Sequence, residues 1–375
     1  MKTFRNSLAF VLGFVLIITS SASANPFTLP TDGTPRGFAT LSNGTVRWVG
    51  VQTVAGQPRA IVWQRATDGT VSSLDLGSIS STATSYAGIA ISESGEYVAV
   101  GTTENSRPSG YSVQLSTSGA LSVENSTNVQ ELPLHLSSGV FGVNNAGELV
   151  GASNTTPAKF DSFGAPSVLT TPNGAGIARG ISADGTRAVG YWVDSAMTSQ
   201  AAAWLNGAFA DLSDGAFESD ILSLSSNGHF GAGHRDGFLT AWDLINGTYA
   251  TLAEYGFFSG ATPAGVYWGQ MYDLLGNLFP VLWMNGWSAP REANEYLRER
   301  GYVFTSPMLE ILGITDLGAT LNIGYRGSVG AVLNVPDPSH SAQSVPEPGS
   351  MLYIGFGLGA IALKKYRGDR KARRN

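Results

Sequence analysis

Seven times along this chain an apolar run is broken by a residue, mostly small or polar, followed by glycine. The pairs are Asn43-Gly44, Ser94-Gly95, Ala146-Gly147, Asp184-Gly185, Asn227-Gly228, Ala264-Gly265 and Leu317-Gly318. Their spacings are 51, 52, 38, 43, 37 and 53 residues. The clearest copies, residues 88–101 and 180–190, read as strand, two-residue turn, strand. Glycine at the turn supplies the positive φ that a tight hairpin requires. Gly101 and Gly190 are expected to end the second strand.

A second marker follows each turn: an apolar strand, often ending in tryptophan. It is strongest at Ala60-Ile61-Val62-Trp63, Ala202-Ala203-Trp204, Leu239-Thr240-Ala241-Trp242 and Val281-Leu282-Trp283. Tyr111-Ser112-Val113, Ala158-Lys159-Phe160 and Gly330-Ala331-Val332-Leu333 are weaker versions. Three tryptophan copies run into further turns, Asn206-Gly207, Asn246-Gly247 and Asn285-Gly286. Each unit therefore holds about four short strands over ~40–50 residues, the period of a propeller blade. Helical signal is confined to residues 291–300. Solenoid coils repeat at shorter periods. Paired sandwiches would need a linker that residues 36–336 do not contain. The expectation is an all-β chain with a single β-propeller of about seven four-stranded blades, the uneven spacing leaving six or eight open. A closed ring of this kind also limits exposed sheet edges.

The units resemble the bacterial HAF extracellular repeats, in which Gly-Ile-Ser-x-Asp-Gly-x-x-x-Val-Gly alternates with Ala-Phe-x-Trp. Gly180-Ile181-Ser182-Ala183-Asp184-Gly185 through Gly190, with Gln200-Ala201-Ala202-Ala203-Trp204, is the best copy. The family's histidine before the apolar strand is absent from every unit. The segment 296–302, followed by Gly313-Ile314-Thr315-Asp316-Leu317-Gly318, resembles that family's last repeat. The resemblance implies a β-propeller and no particular activity.

Both ends carry addresses. Lys2 and Arg5, an apolar core over residues 8–18 and the small-residue site Ala22-Ser23-Ala24 form a secretory signal peptide, residues 1–24, cleaved before Asn25. The repeat domain is then 25–336, followed by a short polar linker, 337–345. Beyond it stand Val345-Pro346-Glu347-Pro348, an apolar run over 351–363 and a tail over 364–375 with seven basic residues. The two prolines keep the motif extended. The 13-residue run rises only ~20 Å as a helix, short for a membrane span, a deficit that lysine snorkelling partly offsets. The basic tail holds that end in the cytoplasm.

Residues 346–375 closely resemble the PEP-CTERM sorting signal of Gram-negative bacteria. The resemblance implies an exosortase-type sorting enzyme as partner, a transient membrane anchor through the C-terminal helix, and delivery to the cell surface or an exopolysaccharide matrix. It implies no biochemical activity.

Without its two end segments the chain is strongly acidic. The signal segment carries two basic residues, and the tail seven basic and one acidic. Residues 25–350 therefore keep 13 basic and 27 acidic residues, a net charge of −14, against −6 for the whole chain. That balance excludes nucleic acid and anionic lipid as partners of the domain. Cysteine is absent, so an exported domain must be held by its core alone.

Catalytic motifs are missing: no cysteine nucleophile, no Gly-x-Ser-x-Gly, no phosphate loop, no His-Glu-x-x-His. The histidines are His135, His229, His234 and His340. His229 and His234 stand an odd number apart, on opposite faces of a regular strand, and read as loop or strand-end residues. Asp32-Gly33-Thr34, Asp68-Gly69-Thr70 and Asp184-Gly185-Thr186 are the candidate Ca²⁺ ligands, but hairpin turns explain them without an ion, so no cofactor is expected. Ser182-Ala183-Asp184-Gly185 lacks the spacing and the tryptophan of a sialidase Asp-box. Of the eight tryptophans, most are expected to pack between blades, and Trp287, in a turn, is the candidate glycan contact. The expected function is a non-enzymatic surface or matrix protein that binds polysaccharide or another surface protein. The alternative is a glycan hydrolase or lyase with carboxylates at the propeller axis. An apolar axis favours the first, and Asp, Glu, Arg and His converging at one end favours the second.

Overall fold

The computed structural model describes residues 25–27, 33–77, 79–80, 83–118, 120–130, 138–284, 286–300, 308–316, 320–326 and 330–336. The signal peptide with Ala22 and Ala24, the linker, and the sorting tail with Val345, Pro346, Glu347 and Pro348 lie outside the described residues, as does the Leu317-Gly318 turn.

The chain is all-β apart from one short helix. Its strands form five four-stranded sheets and one of seven strands, all antiparallel. The seven-stranded sheet divides at a single long strand, Thr248–Ala261. Up to Tyr255 that strand pairs with Phe238–Asp243, and from Gly256 it pairs with Val266–Tyr272. Counting it in both sheets gives seven four-stranded blades: 33–75, 83–128, 138–168, 176–211, 219–255, 256–292, and 310–336 completed by Asn25–Phe27. The innermost strands neighbour one another in order, and Glu310–Asp316 of blade 7 returns to Gly33–Thr40 of blade 1. The result is a β-propeller. Residues 36–336 do not complete it alone, because the outermost strand of blade 7 is Asn25–Phe27, paired with Gly330–Pro336.

Each of the six described sequence turns falls between the first and second strands of a blade, and each apolar marker lies in a third strand. Gly44, Gly95, Gly147, Gly185, Gly228 and Gly265 all have φ between 71° and 82°. The turns are longer than the expected two residues. In all six described cases the glycine N–H donates to the carbonyl three residues back, as Gly185 does to Ser182 at 2.9 Å. Three loops hold three residues and three hold four; in the shorter ones a type I turn is followed by glycine in the left-handed region. In five blades a buried polar residue opens the loop: Ser92, Asn144, Ser182, Ser225 or Thr262. Its side chain accepts the backbone N–H four or five residues on, at 2.9–3.2 Å. The two-residue turns lie instead between second and third strands, as at Ala55-Gly56 and Asp236-Gly237, both residues of each having positive φ.

Gly101 and Gly190 do not end their strands; they sit inside Tyr97–Glu104 and Arg187–Val193. The reason is a bulge. Every first strand carries one extra residue against its neighbour, at positions 36, 89, 141, 179, 222, 259 and 312. Beside it the inner carbonyl approaches the second strand closely. A Cβ on Gly50, Gly151, Gly190, Gly233 or Gly269 would lie 1.9–2.2 Å from that oxygen. The Val-Gly of the repeat is therefore the partner of the bulge.

Seven apolar clusters fill the ring, one at each blade seam. Trp63, Trp204, Trp242 and Trp283 are buried in four of them, so these tryptophans pack between blades. Polar clips join neighbours as well. The glycine carbonyl of one blade's turn accepts from the preceding blade: Arg47 to Gly95 at 2.6 Å, Ser112 to Gly147 at 2.9 Å, Lys159 to Gly185 at 2.8 Å and Arg187 to Gly228 at 2.7 Å. The helix predicted over 291–300 is Ala293–Glu299, capped by the Glu292 carboxylate. Its Tyr296 and Leu297 are buried between blades 6 and 7. Among the described residues no helix is long and apolar enough to cross a membrane.

Candidate functional site

In six blades the bulge residue lines the axis. The axial cavity, about 260 Å³, is lined by Arg36, Phe141, Arg179, Leu222, Ser259 and Leu312 among others, and Glu93 is the one carboxylate among the described lining residues. No carboxylate pair faces the axis there.

A second cavity, about 550 Å³, opens between blades 4 and 5 on the face of the second-to-third strand turns. Its walls include Arg179, Tyr191, Thr198, Ser199, Glu218, Asp220 and His234. Asp220 begins the inner strand Ser219–Leu224, and His234 lies opposite it on Phe230–Arg235. Arg179, the bulge residue of blade 4, reaches across the seam, and its Nε donates to Asp220 Oδ2 at 2.8 Å. The guanidinium carbon stands 5.4 Å from the Tyr191 ring centroid and 5.7 Å from that of Phe141. Arg179 thus touches three blades, which holds a flexible side chain in one place.

Asp220 is only 5% exposed. Burial raises its pKa, opposed by the charges of Arg179 and His234. Burial likewise raises the Tyr191 hydroxyl pKa, with Arg179 opposing. Two buried polar atoms here have no hydrogen-bond partner among the described residues: Asp220 Oδ1 and His234 Nδ1. Buried polar atoms are seldom left so, which marks a place where a ligand or water completes the set. The rim is well fixed. Asp194 accepts from the Ala196 and Thr198 N–H groups at 2.8 and 3.0 Å. Asp236 accepts from the Phe217 and Glu218 N–H groups at 2.8 and 3.1 Å.

Of the residues singled out from sequence, His234 lines this pocket, Asp32, His135 and His340 lie outside the described residues, and the others lie elsewhere. Asp68 and Asp184 accept from Thr70 and Thr186 N–H within their own turns, and those bonds lower both pKa values, with the Ser182 hydroxyl the largest influence on Asp184. Among the described residues no three His, Asp or Glu side chains gather to hold a metal. Trp287 is half-buried, 5.1 Å from the Tyr296 ring, and its carbonyl accepts from Trp283 Nε1 at 3.1 Å. His229 stands exposed in a turn. His234 is a strand-end residue, as expected, but faces Asp220 in the pocket. The sequence signal for the pocket was Arg179, a charge inside the apolar Gly-Ile-Ala-Arg-Gly-Ile strand, echoed by Asp220 one blade later.

No known family model matches this sequence, and no curated protein matches it. Solved structures with similar folds are propellers and propeller-bearing enzymes. TolB from Acinetobacter baumannii aligns at 18% identity and a TM-score of 0.39, over 78% of this chain and 64% of TolB. The β-propeller domain of the Trilobed protease from Pyrococcus furiosus aligns at 12% identity and a TM-score of 0.47, over 82% of this chain and 94% of that domain. The acylaminoacyl peptidase of Pyrococcus horikoshii aligns at 12% identity and a TM-score of 0.43, over 81% of this chain and 52% of the peptidase. The chain spans under two thirds of TolB and about half of that peptidase.

Proposed function

We propose that this chain is an exported, non-enzymatic binding protein of the cell surface or exopolysaccharide matrix. Its single seven-bladed propeller is the binding module, and its 346–375 tail is a membrane-anchored sorting signal processed by an exosortase-type enzyme. The observation that carries the binding reading is the blade 4–5 pocket, where Asp220 Oδ1 and His234 Nδ1 are buried without a hydrogen-bond partner among the described residues. The placement of the domain's C-terminal end supports the tether. The last strand begins at Gly330, on the pocket's face, and runs on to Pro336, so the C-terminal end leaves blade 7 on the face opposite the pocket. An anchored molecule would thus present the pocket outward.

The experiment is retention of the exported protein on exopolysaccharide from the producing cells, together with mass spectrometry of its C-terminus. Retention with no release of new sugar ends, and no peptide from residues 366–375, is the expected result. An intact C-terminus on the surface protein would reduce the tail to a plain anchor. One observation favours the hydrolase or lyase reading: Asp220 lines the pocket and burial raises its pKa, the direction a general acid needs. Newly formed reducing or unsaturated sugar ends that vanish in Asp220→Asn would establish it.

A further inference from the structure

We propose that the blade 4–5 pocket binds a neutral, hydroxyl-rich glycan segment, held by Asp220, Arg179 and His234. This rests on the reading of the propeller as a binding module and names its site and ligand class.

The unpaired atoms set what a ligand must offer. Asp220 Oδ1 is an acceptor, buried and without a partner among the described residues. Arg179 uses its Nε on Asp220, and the rest of its fork is a donor at a side chain 30% exposed. A ligand that meets both must donate and accept within one small group. A sugar hydroxyl does this: its O–H donates to the carboxylate while its oxygen accepts from the guanidinium. His234 Nδ1 then meets a neighbouring hydroxyl. Charge excludes anions: Glu218 and Asp220 outweigh Arg179, so an anionic sugar, phosphate or carboxylate is repelled. The cavity of about 550 Å³ is far larger than an ion needs and lies within the range of small-ligand sites. Thr198 and Ser199 extend its polar wall, while Val193 and Leu222 offer apolar surface to a sugar ring's C–H face.

The test is titration of the full-length chain in mild detergent with laminarihexaose (neutral) and hexagalacturonic acid (anionic), following isotope-labelled histidine resonances by NMR. The neutral hexasaccharide is expected to shift His234 and leave His229 unmoved, and the acidic one to shift neither. Asp220→Asn, close in shape, is expected to weaken neutral-sugar binding by about tenfold or more. His234→Gln is a second variant outside the Arg179–Asp220 pair and is expected to weaken it less. Binding that leaves His234 unmoved and survives Asp220→Asn would overturn the site while the binding reading stands. Preference for the acidic hexasaccharide would overturn the ligand class. No binding of either sugar overturns the proposal; if the exopolysaccharide of the producing cells is not retained either, the binding reading falls with it.

Discussion

The seam between blades 4 and 5 and the seam between blades 5 and 6 are built from the same repeat and both bury an apolar cluster, but they differ in what lies beside it. At the 5–6 seam Phe258, Tyr267 and Trp283 lie 5.3–6.1 Å apart, ring to ring, with Phe230 beside Tyr267. Burial raises the Tyr267 pKa strongly, so its hydroxyl stays neutral. The blades also share the unbroken strand Thr248–Ala261. At the 4–5 seam the inner end is an ion pair, and two buried polar atoms lack partners. A seam of packed rings gains from area and aromatic geometry. A seam with unpaired buried polar atoms forgoes stability that packing would supply. One repeat therefore yields a structural joint and a receptive one, and the difference lies in two or three side chains.

The sharpest way to break this contrast is Trp283→Ala. It empties the aromatic seam and is expected to cost ~3–5 kcal/mol, read as a large fall in the urea midpoint with ligand affinity at the 4–5 pocket retained. Next comes Gly233→Ala, whose Cβ would lie 2.0 Å from the Asp220 carbonyl oxygen. Relief by backbone shift is expected to cost ~1–3 kcal/mol and to displace Asp220, so stability and ligand binding fall together. Binding unchanged in a folded Gly233→Ala protein would break the link between bulge and pocket.

The third prediction is a pH dependence. Asp220 is raised above the ordinary 3.8 in the folded protein. As pH climbs past that value the unfolded chain releases the proton first, so this group's contribution to stability declines until the folded pKa is passed. Denaturation across that window is expected to show a decline that Asp220→Asn flattens; an equal decline in the variant would assign it to other groups. The smallest effect belongs to Arg187→Met, which removes the clip to the Gly228 carbonyl and is expected to cost ~0.5–1.5 kcal/mol by thermal melting, with the pocket unaffected.

The blade count was legible because each blade needs a left-handed residue at its inner turn, and glycine announces it. The apolar third strands were legible because they are buried on both faces, as Ala60, Val62 and Trp63 are. The bulges were not, since an extra residue in a strand leaves no composition of its own; only Gly101 and Gly190, read as strand ends, hinted at it. The pocket was hidden for a related reason. Arg179, Asp220 and His234 lie on three strands of two blades and meet only because the bulge residue of blade 4 reaches across the seam to a strand pair of blade 5. The outermost strand of blade 7 was hidden too, because three residues carry no periodicity.

That last strand has a consequence for how the ring is assembled. Asn25–Phe27 is the earliest described segment to be synthesised, and its partner Gly330–Pro336 the latest. The circle therefore cannot shut until almost the whole chain exists, and closing it brings distant ends together through the three pairs to Asn25–Phe27 and the packing of blade 7 on Gly33–Thr40. Until then Gly330–Pro336 is a bare sheet edge that can accept the same three-residue strand from a second molecule. Exchange of that strand would link two rings head to tail without altering any blade, so slow or crowded synthesis is where intertwined dimers of this protein should accumulate.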